Sequence, residues 1–250
     1  VKVYEIPEGG RVSRGKAIVN LISLQKGEKV SAVLPVREFQ EGNHAVFATR
    51  RGQIKKTNLM SYSKPRQGGV IAINLAPGDE LIGVSMTDGN RDILLSTRAG
   101  QSIRFSENHV RPTARNTAGV RGINLGTGDR VVSLEILEAQ HSVMTVSEKG
   151  YGKRSSVAEY RVQARGGKGV ATMRVTAKTG NVVGVQQVVE SDNLMLITDT
   201  GRIIRLAIAD LRVIGRNTQG VKVFEINGGE KVAGVALVVE DTENSSVENE

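Results

Sequence analysis

The 250-residue chain has no cysteine, no tryptophan and only five prolines, and its aromatic content is 3%. Without cysteine it cannot form disulfides, iron–sulfur clusters or thiolate zinc sites, which fits a reducing compartment. So few aromatics leave no stacking platform of the kind that readers of single strands or RNA need. There is no run of 18 apolar residues and no signal-like amino terminus. Both absences argue against membrane spanning and secretion, and for a cytoplasmic protein with no membrane partner. The three histidines, His44, His109 and His141, are scattered, with neither zinc-ligand spacing nor a serine or cysteine partner. No catalytic residue, metal site or cofactor is therefore assigned to this chain.

Glycine is abundant, and it is periodic. Gly15, Gly69, Gly119, Gly169 and Gly220 stand 54, 50, 50 and 51 residues apart in similar text, as in Thr117-Ala-Gly-Val-Arg and Thr218-Gln-Gly-Val-Lys. A second series, Gly52, Gly100, Gly150 and Gly201, and a third, Gly27, Gly78, Gly128, Gly180 and Gly229, keep the same beat. A repeat of that length means an array or a propeller.

One unit, from Asp92 to Leu137, reads as four strands. Asp92–Arg98 is apolar, Ala99-Gly100 turns the chain, and Gln101–Phe105 returns it as a hairpin. A polar, basic connection follows from Ser106 to Ala118. Gly119–Leu125 and the alternating Val132, Leu134 and Ile136 then read as a second hairpin around the Gly128 turn. The Asp or Glu after that turn (Glu28, Asp79, Asp129, Glu230) reads as a turn residue, not a catalytic acid. The expectation is an all-β, propeller-like disc of about five four-stranded blades over residues 1–40, 41–90, 91–139, 140–190 and 191–239. The first blade is incomplete, with Val1–Ile6 as the second strand of its hairpin, so the chain reads as a piece of a longer protein. Residues 240–250 form an acidic tail expected to be disordered.

The whole chain carries +8 and the tail −5, so residues 1–239 carry +13. Cations also keep register. Lys56, Arg104, Arg154 and Arg205 follow the first-hairpin glycines by four. Arg11, Arg115, Arg165 and Arg216 precede the anchor glycines by four, with Arg66 displaced by one, and Arg111, Arg161 and Arg212 precede them by eight. Equivalent positions in every blade lie on one ring, so these residues, with Arg14, Lys16 and Lys168, are expected to form a cationic belt. Bending a short duplex by 40–90° costs on the order of 1–6 kcal/mol, and a belt supplies phosphate contacts along the whole arc. Duplex DNA, read through its backbone with little sequence preference, is the partner this implies. The alternative is a protein-interaction propeller, which would place apolar or aromatic residues on its rim.

Gly10-Arg-Val-Ser-Arg-Gly15-Lys16-Ala17 imitates a phosphate-binding loop. It lacks the hydroxyl after lysine, and Ile18–Ile22 reads as a strand where a helix is required. The fuller text resembles another family along nearly the whole chain, the C-terminal domain of the bacterial DNA gyrase A subunit. The resemblance is carried by Arg115-Asn-Thr-Ala-Gly-Val-Arg-Gly-Ile, Gly150-Tyr-Gly-Lys-Arg, Gly215-Arg-Asn-Thr-Gln-Gly-Val and Pro77-Gly-Asp-Glu-Leu-Ile-Gly-Val. It implies a β-pinwheel whose blades exchange strands and whose rim wraps DNA to support negative supercoiling. The implied partners are the A-subunit catalytic core and the B subunit, with ATP and magnesium used elsewhere in the enzyme. The family's box motif, Gln-Arg-Arg-Gly-Gly-Lys/Arg-Gly, has its nearest match in Gln163-Ala-Arg165-Gly166-Gly167-Lys168-Gly169. That segment differs at one residue and lies in the fourth anchor region instead of the first blade. The family also has six blades to the five counted here, so a topoisomerase IV domain that binds with little wrapping is the alternative within the resemblance.

Overall fold

From residue 44 onward each repeat opens with the hairpin that its turn glycine demands. In a computed structural model describing residues 1–10, 12–22, 24, 27–65 and 69–238, β1 (His44–Thr49) pairs antiparallel with β2 (Gln53–Asn58). Gly52 turns between them at φ 82°, a region that only glycine enters at little cost. After β3 (Leu81–Thr87), the hairpin recurs as β4 (Asp92–Thr97) and β5 (Gln101–Ser106), followed by β6 (Val120–Arg121) and β7 (Val131–Leu137). The third copy comprises β8 (Ser142–Ser147), β9 (Tyr151–Ser156), β10 (Val170–Ala171) and β11 (Val182–Val188). The fourth comprises β12 (Asn193–Thr198), β13 (Ile203–Ala207), β14 (Val221–Lys222) and β15 (Val232–Val238). Among the described residues there is no α-helix, only short 3-10 turns.

The second hairpin of the expected unit does not form. Its two strands diverge to different sheets, which run β3-β1-β2-β6, β7-β4-β5-β10, β11-β8-β9-β14 and β15-β12-β13. Thus β6 leaves its own repeat to pair with β2, β10 pairs with β5, and β14 pairs with β9. The third-series turns, at Gly128 (φ 73°) for example, carry the chain from the outer edge of one blade to the inner strand of the next. Contact distance explains the anchor glycines. A Cβ on Gly169 would sit 2.4 Å from the Ser102 carbonyl oxygen, and one on Gly220 would sit 2.5 Å from that of Gly152. Only a bare Cα lets the exchanged strand lie flush on its acceptor.

The inner strands β3, β7, β11 and β15 pack successively on one another, so the exchanged strands and their linkers form the outer rim. The apolar cores lie between blades. One joins Val46, Ala48 and Ile54 of the first sheet to Ile93, Leu95, Ile103 and Phe105 of the second. Another joins Leu94 and Leu137 to Val143, Val157, Tyr160 and Val182, and a third joins Met144 and Val146 to Leu194 and Leu196. The middle strands β1, β4 and β8 are therefore covered on both faces, which is why they read as apolar runs without alternation. Each fully buried large apolar side chain contributes about 1.5–3 kcal/mol, and no blade could bury these faces alone.

Among the described residues, four sheets replace the five blades expected. Among the described residues no strand precedes His44. The stretch read as a strand over Val1–Ile6 contains instead a 3-10 turn at Val3–Glu5. That turn occupies the register of those at Glu107–His109, Val157–Glu159 and Ile208–Asp210, which follow the second strand of a hairpin. Ile18–Ile22 is likewise no strand, since Ile18–Asn20 is a 3-10 turn and no helix follows it. The acidic tail, residues 240–250, lies outside the described residues.

Candidate nucleic-acid interface

The linkers after the first three hairpins start with a capped turn. Ser106 Oγ accepts from Asn108 N–H and Ser156 Oγ from Ala158 N–H, which satisfies donors that a 3-10 turn leaves open. The chain then runs beside the second strand of the preceding blade. There Thr113 N–H donates to Lys56 O at 2.9 Å, Gln163 N–H to Arg104 O at 2.8 Å, and Ile214 N–H to Arg154 O at 2.8 Å. Each linker therefore covers its neighbour's blade before its exchanged strand pairs there.

Lys56, Arg104 and Arg154 of the first cation series lie under these linkers, not on the rim. Lys56 is 4% exposed and forms an ion pair with Glu107, itself fully buried, at 3.2 Å, while also donating to Glu107 O at 3.0 Å. Arg104 is half-buried, bonded to Asp92 at 2.8 Å and to the carbonyls of Val157 and Tyr160 at 3.1 and 3.2 Å. Arg154 is buried, reaching Ser142 Oγ at 3.2 Å and the Ile208 and Leu211 carbonyls at 3.5 Å. The physical reason is common to all three. A 3-10 turn pressed into a seam between blades leaves carbonyls that water cannot reach, and a cation with several donors satisfies them. Arg205, in β13, is exposed.

The other two series reach the rim. Arg111, Arg161 and Arg212 are exposed just after the 3-10 turns, and Lys168 is exposed in the box-like segment. No ion pair among the described residues engages any of these four. Arg115, Arg165 and Arg216 are half-buried. Arg165 donates from Nε to His109 O at 2.9 Å and from Nη1 to Arg121 O at 3.0 Å, and Gln163 keeps an unpartnered, buried Nε2. Gly166 and Gly167 of the same segment bond through the backbone to Gly122 O and Asn124 N, and Gly169 anchors β10. Arg14 and Lys16 are exposed ahead of the first sheet; Arg11 and Arg66 lie outside the described residues.

Sequence reasoning missed the two most buried lysines. Lys55 and Lys153 are each 1% exposed. Lys55 Nζ donates to Ala72 O at 2.6 Å and to Arg115 O, and Lys153 Nζ to Gly215 O at 2.9 Å and to Arg216 O. Burial lowers both ammonium groups to about 8. One signal could have found them: the equivalent positions in the other two hairpins hold Ile103 and Ile204, so a lysine there is a charge at a core position.

The carboxylates after the third-series turns work locally. Asp79 Oδ1 accepts from Arg51 N–H and Asp129 Oδ1 from Ala99 N–H, both at 2.9 Å, tying each turn to its own hairpin. Glu230 accepts from Thr200 Oγ1 and Arg202 Nη1, and these donors, the Thr200 hydroxyl first, hold its carboxyl down to about 2. No grouping of three or more His, Asp or Glu suited to a metal ion occurs among the described residues, and no helix there is long and apolar enough to cross a membrane.

Comparison with known proteins places this arrangement. A family model described as DNA gyrase C-terminal domain, beta-propeller, matches five times, at residues 1–37, 43–88, 91–138, 141–188 and 192–238. The DNA gyrase A subunit of Salmonella typhimurium is 43% identical over 248 residues, covering 99% of this chain and 28% of the relative. That of Buchnera aphidicola from Acyrthosiphon pisum is 50% identical over 240 residues, covering 96% and 29%. The chain thus spans under a third of the length of these relatives. A crystal structure of the C-terminal domain of DNA topoisomerase IV superposes with TM-score 0.86 at 28% identity, covering 94% of this chain and 74% of the other. A DNA gyrase A C-terminal domain superposes with TM-score 0.83 at 23% identity, covering 96% and 78%, and supports the fold.

Proposed function

The chain belongs to the DNA gyrase C-terminal domain family, and from that membership we propose that it is a non-catalytic domain that binds and wraps duplex DNA for a type II topoisomerase. Residues 1–239 act as one pinwheel, with Arg111, Arg161, Arg212 and Lys168 contacting phosphates and Arg14 and Lys16 extending the path toward the amino terminus. Strand passage, ATP and magnesium belong to the A-subunit core and the B subunit, and the complex works on the chromosome in the bacterial cytoplasm. One observation carries the reading: three exposed arginines recur at 50- and 51-residue spacing on linkers bonded one to the next. Those bonds run from Asn74 N–H to Thr117 O, Asn124 N–H to Gly167 O and Arg174 N–H to Thr218 O, at 3.0, 2.9 and 2.9 Å. A duplex laid on one linker is thereby handed to the next.

The similarity to a topoisomerase IV domain supports a second reading, binding with little wrapping. Two measurements decide. If about 6–10 phosphates are engaged, affinity falls by about 10³–10⁵ between 50 and 200 mM salt; a flat response excludes DNA as the partner. Ligation of a nicked circle on the protein changes linking number if the rim wraps, and leaves it unchanged if the rim only binds.

A further inference from the structure

Two arginines of the rim are committed to carbonyl oxygens of the neighbouring repeat. Arg165 sits on the linker that covers the second sheet, yet its Nε and Nη1 reach His109 O at 2.9 Å and Arg121 O at 3.0 Å, on the outer edge of the first. Arg216 repeats the geometry one blade on, with Nε to Glu159 O at 3.1 Å and Nη1 to Ala171 O at 2.7 Å. The acceptors correspond residue for residue at 50 apart. In both cases one acceptor ends a 3-10 turn and the other lies in an exchanged strand. Backbone amides add to the contact: Gly166 N–H donates to Gly122 O at 2.6 Å, and Arg216 N–H to the Glu159 side-chain Oε2 at 2.8 Å. Beneath, Lys153 of β9 holds the carbonyls of Gly215 and Arg216, fixing that linker to the third sheet, which it covers.

Beyond the apolar cores between their faces, neighbouring blades meet through the packed inner strands near the centre and through these forks at the rim. With the inner contact fixed, the outer one sets how far each blade turns from the last. We infer that Arg165 and Arg216 are positioning residues: their guanidinium forks staple successive blades and set the curvature of the rim, while the phosphate contacts come from the exposed Arg161 and Arg212. The inference rests on the DNA-binding reading above for its consequence, and on the protein alone for its geometry. Lysine keeps the charge of arginine but not its planar two-pronged fork, so charge and staple can be separated.

The test compares Arg165→Lys/Arg216→Lys and Arg165→Ala/Arg216→Ala with Arg161→Ala/Arg212→Ala. The lysine pair should keep the parent's log–log salt slope, lose part of the DNA bend read by fluorescence transfer, and speed amide exchange at Gly166 and Asn124 about tenfold. The alanine pair at 165 and 216 should do the same. The alanine pair at 161 and 212 should lower the slope by about 2 and leave that exchange unchanged. The inference is overturned if the lysine pair bends DNA and exchanges like the parent, or if the alanine pair at 165 and 216 lowers the slope as the other does. Should the parent fail to bind or bend DNA, the function proposed above fails, and the exchange measurement still decides the staple without DNA.

Discussion

The second strands of the four hairpins have similar sequences and very different surroundings. In β9, Gly152–Ser155 are all buried, and in β2, Ile54–Thr57 are buried; in β13 not one residue is. Both β2 and β9 carry the linker and exchanged strand of the following repeat, whereas the β13 sheet has three described strands. The difference teaches that a blade is finished from outside. Its second strand becomes interior only when the next repeat arrives, and the buried cations on that strand exist to receive it. Stability in this fold is thus a property of junctions, as in other repeat arrays.

The most damaging way to break a junction should be to strand a charge inside it. Replacing Lys56 with Ala leaves Glu107 fully buried without its ion partner, at a cost of about 3–5 kcal/mol. A loss of unfolding free energy in urea of less than a third of that would remove the pair from the junction's support. Next is Gly169→Ala, which puts a Cβ against the Ser102 carbonyl at a φ of 78° and should cost about 2–4 kcal/mol. Its control is Gly201→Ala, where φ is 87° but nothing lies within 4 Å of the added atom, for about 1 kcal/mol. Equal losses at the two glycines would mean that exchange tolerates a side chain.

A smaller effect should appear with pH. Burial holds the Lys55 and Lys153 ammonium groups at about 8, against an unfolded value of about 10.4. The folded chain sheds these protons first, so above pH 8 the unfolded chain binds more of them and stability rises with pH. The penalty for burying both charges is fully felt below pH 8. Burial raises Tyr160 and Tyr62, which works the other way once free tyrosine begins to ionise, so the clean window is about pH 8 to 9.5. Unfolding midpoints should climb across it in the parent chain and stay flat in Lys55→Met/Lys153→Met. A parent that is flat there would place these amines in water.

The period, the first hairpins and the all-β class were legible because turn glycines and apolar runs are local signals. Strand exchange was implied by the family resemblance but not by the local text. Val120–Arg121 is two residues long, and nothing in its text says whether it belongs with β7, after the turn, or with β2, a repeat away. The buried Lys56 and Arg154 were misplaced because a cation in register looks like surface charge. Its partners, the carbonyls of a 3-10 turn one repeat later, carry no side-chain signature. The resemblance of Val1–Ile6 to a strand failed similarly: its place in the repeat is the turn after the strand, one step on from where its apolar residues suggest.

The exposed arginines should give the smallest change in stability and a distinct change in binding, and so sharpen the contrast between seam and rim. Arg111 and Arg212 are exposed and in no ion pair among the described residues. Replacing either with Ala should leave the unfolding free energy within about 0.5 kcal/mol of the parent. Each exposed arginine that meets a phosphate releases about one counterion on binding, so each substitution should lower the log–log salt slope by about 1, and the two together by about 2. Sequence preference should stay as weak as in the parent, because backbone contacts carry none. Titrations of one duplex at several salt concentrations, run beside urea curves of the same variants, separate the two regions. If Arg111→Ala destabilises the fold as Lys56→Ala does, the rim arginines are seam residues after all. If it changes neither stability nor slope, the DNA path must run elsewhere on the outer edge, and Lys168 with the neighbouring Arg174 becomes the next pair to replace.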